Sequence, residues 1–276
     1  MSGTAADHVV RRPAPPDLTP WSADPYANAL RNGHGPLFLR RTDGWLLPLD
    51  VERWCAGADG ADLSALRRCE GPVLDIGCGP GRLVTELAGR GHRALGIDVS
   101  EAAVAHTLRI GGPALRRSVF DPLPGEGRWG SVLLIDGNVG IGGDPHALLM
   151  RTVELLAPGG LLIAETAPLD IDERVRVRLV DGHLAPESGG AADRSGPGDT
   201  DFPWARIGAL ALLRYAQPQG WQLCDQWTAD GRTFLALRRS RRVRTVSQSA
   251  DTANSAAVIS SQLPRKTSTD SPLAAL

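Results

Sequence analysis

Three glycines at alternate positions, Gly77, Gly79 and Gly81, follow the apolar run Val73-Leu74-Asp75-Ile76 and lead into Arg82. A second acid, Asp98, closes the run Arg93 to Ile97 at about 20 residues beyond the turn, the distance at which an acid accepts ribose hydroxyls. Glycine has no Cβ, so such a turn takes positive φ and lets a ligand approach the main chain. The helix that follows then points its N-terminal dipole and free N–H groups at that ligand. The constellation suits an adenosine-containing ligand. A third acid, Asp121, follows the strand-like run Leu115 to Phe120, which sets Asp75, Asp98 and Asp121 at three successive strand ends.

The segment Asp136-Gly137-Asn138-Val139-Gly140-Ile141-Gly142-Gly143-Asp144-Pro145-His146 leaves another strand of the same kind. Its small residues leave room for a substrate. Asp144 and Pro145 suit the N-cap and first turn of a helix, which puts His146 near the positive end, where a neutral imidazole is favoured and could serve as general base. His146 is the candidate catalytic residue and Asn138 a candidate for the substrate pocket. An exposed helical histidine and an asparagine that only satisfies turn amides explain the same residues structurally.

Residues Val73 to Gly81 resemble the first motif of the class I S-adenosylmethionine-dependent methyltransferases, and Asp98 the acid that ends their second. Ser131 to Asp136 is similar to their fourth strand, and Leu155 to Glu165 to the helix, turn and strand that announce the fifth. The resemblance covers about residues 70 to 166 firmly and continues more loosely to Arg239. It implies that Asp75 and the main chain of Gly77, Cys78 and Gly79 face the methionine part of S-adenosyl-L-methionine. Asp98 would hold the ribose, Val99 would lie against adenine, Asp121 would meet its amino group, and Phe120 and Asp136 are further candidates for cofactor binding. The product would be S-adenosyl-L-homocysteine. The Asn-Pro-Pro-Tyr type motif of many nucleic-acid amino-methylating relatives is replaced by Asp136-Gly137-Asn138-Val139, which favours a small-molecule O, N or C acceptor.

The elements that must position these residues follow from pattern. Short apolar strands bounded by glycine and proline suit a parallel sheet buried on both faces. Trp221 to Thr228 and Arg232 to Arg238, joined by Ala229-Asp230-Gly231, read as a hairpin, whose arms must be antiparallel. The expected fold is α/β, a Rossmann-like seven-stranded sheet of order 3-2-1-4-5-7-6 with strand 7 antiparallel and helices on both faces. The methyltransferase domain is expected over 21–240, with an N-terminal cap at 21–66 and an insertion or lid at 167–203. Tails 1–20 and 241–276, rich in Pro, Ala and polar residues, are expected to be disordered. In small-molecule methyltransferases resembling this chain the cap reaches the acceptor, which would bring Tyr26 or His34 inward. Arg53 and Trp54 read as helix packing. The insertion holds an alternating strand, Arg174 to Val180, a polar loop from Glu187 to Thr200, and an apolar helix from Trp204 to Tyr215. Phe202 and Trp204 are its candidate anchors.

A formal net charge of −1 argues against a general nucleic-acid surface. Cys55, Cys69, Cys78 and Cys224 show neither C-x-x-C spacing nor a histidine partner set, so no metal site is expected and a reducing cytoplasm fits. No stretch approaches the roughly 20 apolar residues of a membrane span, and no signal-peptide core follows Arg11-Arg12. Two other readings stay open on sequence: an NAD(P)-dependent oxidoreductase, which would need a further parallel strand, and a non-catalytic module that binds S-adenosylmethionine.

Overall fold

The computed structural model describes Trp21, 24–182 and 201–239; both expected tails and the polar loop lie outside these residues. In chain order the elements are α1 (Asp24–Asn32), β1 (Leu37–Arg41), β2 (Leu46–Leu49), α2 (Val51–Cys55), α3 (Gly60–Leu66), β3 (Val73–Ile76), α4 (Arg82–Gly89), β4 (Ala94–Asp98), α5 (Glu101–Arg109), β5 (Ala114–Arg116), β6 (Trp129–Leu134), α6 (Pro145–Leu155), β7 (Leu156–Thr166), β8 (Asp172–Asp181), β9 (Phe202–Ile207), α7 (Ala209–Ala216), β10 (Trp221–Ala229) and β11 (Arg232–Arg239).

Seven strands form one sheet in the order β10-β11-β7-β6-β3-β4-β5. Renumbered within the sheet this is the expected 3-2-1-4-5-7-6. The pairs from β7 through β5 are parallel, whereas β11 runs antiparallel to both β7 and β10. The hairpin turn takes positive φ at Asp230 (49°) and Gly231 (75°), the primed-turn conformation that matches strand twist.

Successive strand residues point to opposite faces, and the sheet is apolar on both because each face is covered. Leu74, Val132, Leu134, Leu162, Leu235 and Leu237 pack with Leu148 and Leu155 of α6 and Leu212 of α7. The intervening Val73, Leu133, Leu161, Ile163, Phe234 and Ala236 pack with Leu66 of α3 and Leu83 and Leu87 of α4. This two-sided core fixes β3, β4 and β6 side by side, with their carboxyl ends opening on one crevice.

A second sheet, β2-β1-β8-β9, is entirely antiparallel. It joins the expected cap to the expected insertion, an association that the sequence reading did not anticipate. Leu37, Leu39, Val177, Leu179, Phe202 and Trp204 share a core with Tyr26 and Leu30 of α1 and Ala103 of α5. Two local expectations are corrected. Trp204 to Ile207 continues the strand β9, and only Ala209 onward is helical. The third strand ends at Arg116, short of Phe120, because Asp121 Oδ2 accepts the Ser118 amide and Ser118 Oγ that of Phe120, closing a tight turn.

Candidate functional site

A cleft enclosing about 1000 Å³, open solvent at its mouth included, lies over the carboxyl ends of β3, β4 and β6 and is covered by α1, α2 and β9. Its floor is the glycine turn. Gly77 and Gly79 have φ of 70° and 53°, and a Cβ on Gly77 would come within 2.6 Å of Asn138 Nδ2. Asn138 donates from that nitrogen to the carbonyls of Ile76 (2.9 Å) and Gly77 (3.0 Å), so the loop after β6 clamps the turn after β3.

Asp98 is aimed by its neighbours. One carboxylate oxygen accepts the Gly79 amide at 2.9 Å and the other the Ser100 amide at 2.8 Å. Burial pushes its pKa up, against the backbone N–H groups of Ser100, Gly79 and Val99, which favour the charged form. A main chain with room for close approach beside an oriented acid fits a nucleoside ligand.

Asp136, just past the end of β6, lies in the left-handed region (φ 58°), an uncommon conformation for a non-glycine residue. Its carboxylate is gripped by Arg53 (2.7 Å), Arg82 (2.7 Å) and Arg232 (3.3 Å), and its amide donates to Glu165 at 2.7 Å. Burial disfavours the charge, but Arg82 and Arg53 prevail and hold the pKa below the usual carboxylate range. Asp136 is therefore a poor proton acceptor. Arg53 and Trp54, expected as helix packing, belong to the site instead: Arg53 ties α2 to Asp136 and Trp54 lines the cleft. Arg232 comes from the distant hairpin and had no local signal.

Asp75 lies below the cleft floor, 2% exposed, with Oδ2 lacking a partner. Burial, only partly opposed by Arg82, pushes its pKa up to about 7. An acid whose folded pKa is raised contributes stability below the unfolded value near 4 that is lost as pH rises through 7. Asp75→Asn should accordingly flatten stability between those limits and gain about 2–4 kcal/mol over wild type at pH 8. Urea midpoints at pH 5 and pH 8 measure this, and the same pH dependence in both proteins would remove the buried charge from consideration.

Of the residues expected at a site, the cleft brings together Gly77, Cys78, Gly79, Asp98, Val99, Asp136, Tyr26, Asn138, Phe202 and Trp204. Phe120 is beside the rim at Gly142, while Asp121 serves its own turn. His34 is exposed, with Nδ1 against the Gly35 carbonyl, because the α1–β1 turn faces outward. His146 is exposed too. Asp144 caps α6 as expected, but His146 is not among the residues that line the cleft. Neither histidine lines the cleft. Among the described residues no group of His, Cys, Asp and Glu side chains is arranged to hold a metal, and no helix is long and apolar enough to cross a membrane.

A family model described as a methyltransferase domain matches residues 52–192. A search of curated proteins returns no match. Among solved structures, the chain is similar to a SAM-dependent methyltransferase from Bacteroides fragilis in complex with S-adenosyl-L-homocysteine, at 18% identity and a TM-score of 0.62 over 80% of this chain and 97% of that one. It is also similar to a protein solved in work on the conversion of a disulfide bond into a thioacetal group during echinomycin biosynthesis. That match has 17% identity and a TM-score of 0.50, over 79% of this chain and 92% of the other.

Proposed function

This chain belongs to the methyltransferase-domain family and is an S-adenosylmethionine-dependent methyltransferase of the class I fold, and on that premise we propose that it methylates a small-molecule acceptor. The observation that carries the acceptor reading is the aromatic cover that Tyr26, Trp54, Phe202 and Trp204 lay over the cleft beside the glycine turn, which leaves a concave site of small-molecule size. Bound there, S-adenosylmethionine supplies a sulfonium methyl group that an acceptor lone pair takes in line, as the carbon–sulfur pair returns to sulfur and the acceptor's proton leaves to water.

The protein's own part is positioning. In this reading Asp98 accepts the ribose hydroxyls, the Gly77, Cys78 and Gly79 main chain borders the methionine part, and Val99 lies against adenine, with Phe120 near it. Asp75 and Asp136 shape the field below, and Asn138 keeps the turn in register. With Asp136 held ionised by three arginines and His146 outside the cleft lining, alignment of donor and acceptor carries the rate, and effective concentration alone contributes on the order of 7–11 kcal/mol in well-oriented systems.

Calorimetric titration with S-adenosylmethionine, S-adenosylhomocysteine and NADH tests the donor. The two sulfur nucleosides should each bind at one site and NADH should not; NADH binding would revive the oxidoreductase reading. Full cofactor affinity without turnover across a broad small-molecule panel would instead mark a non-catalytic module.

A further inference from the structure

We propose that the hydroxyl of Tyr26 donates a hydrogen bond to the carboxylate of the cofactor's methionine part, so that the cap is tied to the bound cofactor through α1. The inference deepens the methyltransferase reading and rests on it.

The ring and the hydroxyl of Tyr26 have different surroundings. The ring is packed in the core of the second sheet, with Trp21 at 5.3 Å and Trp54 at 6.4 Å, and the residue is only 4% exposed. That packing fixes where the oxygen stands. A Cβ on Gly79 would lie 3.6 Å from Tyr26 Oη, which places the hydroxyl over the glycine turn. Among the described residues none hydrogen-bonds this oxygen, and it keeps access to the cleft, unlike Trp54 Nε1, which is sealed within the protein. A polar group so placed is left for a ligand to satisfy.

The turn itself has little left to offer an anion. The amides of Gly77 and Cys78 donate to the Ile97 carbonyl at 2.9 and 3.0 Å, that of Gly79 to Asp98, and that of Gly81 to the Cys78 carbonyl at 3.1 Å, while Pro80 has no N–H. Side-chain donors beside the turn are committed as well, Asn138 Nδ2 to two carbonyls and the Arg82 guanidinium to Asp62 and Asp136. Arg117 also lines the cleft, but it follows β5, two strands away from β3, roughly 10 Å at the usual strand spacing. A carboxylate lying along Gly77 to Gly79 therefore finds in Tyr26 Oη an uncommitted donor.

Burial, and after it the neighbouring Asp98, pushes the hydroxyl's pKa up, so Tyr26 stays a donor at neutral pH and does not become an anion. A hydrogen bond to a charged acceptor is among the stronger kinds. Leu30 of the same helix packs in the same core, so a bond made at Tyr26 holds the cap down on the turn.

The test is a cycle of two proteins and two ligands. Wild type and Tyr26→Phe are each titrated calorimetrically with S-adenosylhomocysteine and with S-adenosyl-3-thiopropylamine, which lacks only the carboxylate. Tyr26→Phe should weaken S-adenosylhomocysteine about ten-fold and leave the decarboxylated ligand unchanged. Its urea midpoint should match that of wild type, because the ring stays and the lost oxygen had no partner among the described residues. Equal loss for both ligands would assign the hydroxyl to another contact, and no loss for either would make Tyr26 cover alone; each result overturns the proposal. So does Arg117→Ala, if that variant and not Tyr26→Phe abolishes the preference for the carboxylate. Failure of wild type to bind either ligand counts against the methyltransferase reading itself.

Discussion

Replacing Arg82 by methionine is expected to destabilise the protein by about 3–5 kcal/mol, the cost of leaving a buried ionic partner uncompensated. Arg82 follows the glycine turn at once, so its side chain drops beneath the cleft, where it is 6% exposed. It grips Asp62 through Nε (2.7 Å) and Nη2 (3.0 Å) while Nη1 reaches Asp136. Asp62 is fully buried and, if Arg82 is lost, keeps Arg232 as its charged partner beside the Asp59 amide. Burial alone would raise the Asp62 pKa, but Arg82 and Arg232 bring it to about 2. That stabilisation is present above the unfolded value near 4 and is lost as pH falls through 2. The variant should therefore unfold in acid at a higher pH as well as at lower urea. Arg82→Met combined with Asp62→Leu should recover part of the loss, because the stranded charge is then gone. A single variant within about 1 kcal/mol of wild type would show that the network is not what holds the cleft floor.

The same network marks where sequence reading succeeds and where it stops. Order and direction in the large sheet were legible because each strand carries its own signal: both-face apolar runs for β3, β6 and β7, and an Asp-Gly turn that forces β11 antiparallel. The place of Asp98 at the end of β4, beside the glycine turn, was legible from strand pattern and spacing. The second sheet was not, since β1 meets β8 across well over a hundred residues and short strands do not name their partners. Phe202 to Ala216 is a largely apolar stretch broken by Arg206, Gly208 and Arg214, and periodicity does not divide a strand from a helix in such a run; packing of Phe202 and Trp204 into the cap core made the division. Arg53 and Trp54 looked like ordinary helix residues because their partners, Asp136 and the cleft, come from elsewhere in the chain. That His146 lies outside the cleft lining has a related reason: helix position sets its distance from Asp144 but not which way the helix faces.

Asp98→Ala should raise the dissociation constant for S-adenosylhomocysteine by a factor corresponding to about 1–3 kcal/mol, since a charged acceptor is removed from a ligand that has no substitute for it. Two losses combine. In the proposed binding mode the ribose hydroxyls lose their acceptor, and the amides of Gly79 and Ser100 lose the carboxylate that fixes the turn, so the floor loosens along with the contact. Asp98→Asn separates them, because the amide keeps the volume and one carbonyl oxygen while its NH₂ opposes a backbone N–H; it should cost nearly as much affinity with less loss of melting temperature. Because burial raises the Asp98 pKa, protonation begins above the ordinary carboxylate range, and wild-type affinity should fall on acidification where the Asn variant stays flat. Calorimetry at stepped pH on the three proteins decides it: unchanged affinity in the alanine variant would take Asp98 out of the cofactor site, and a pH slope that persists in the asparagine variant would assign the titration to another group.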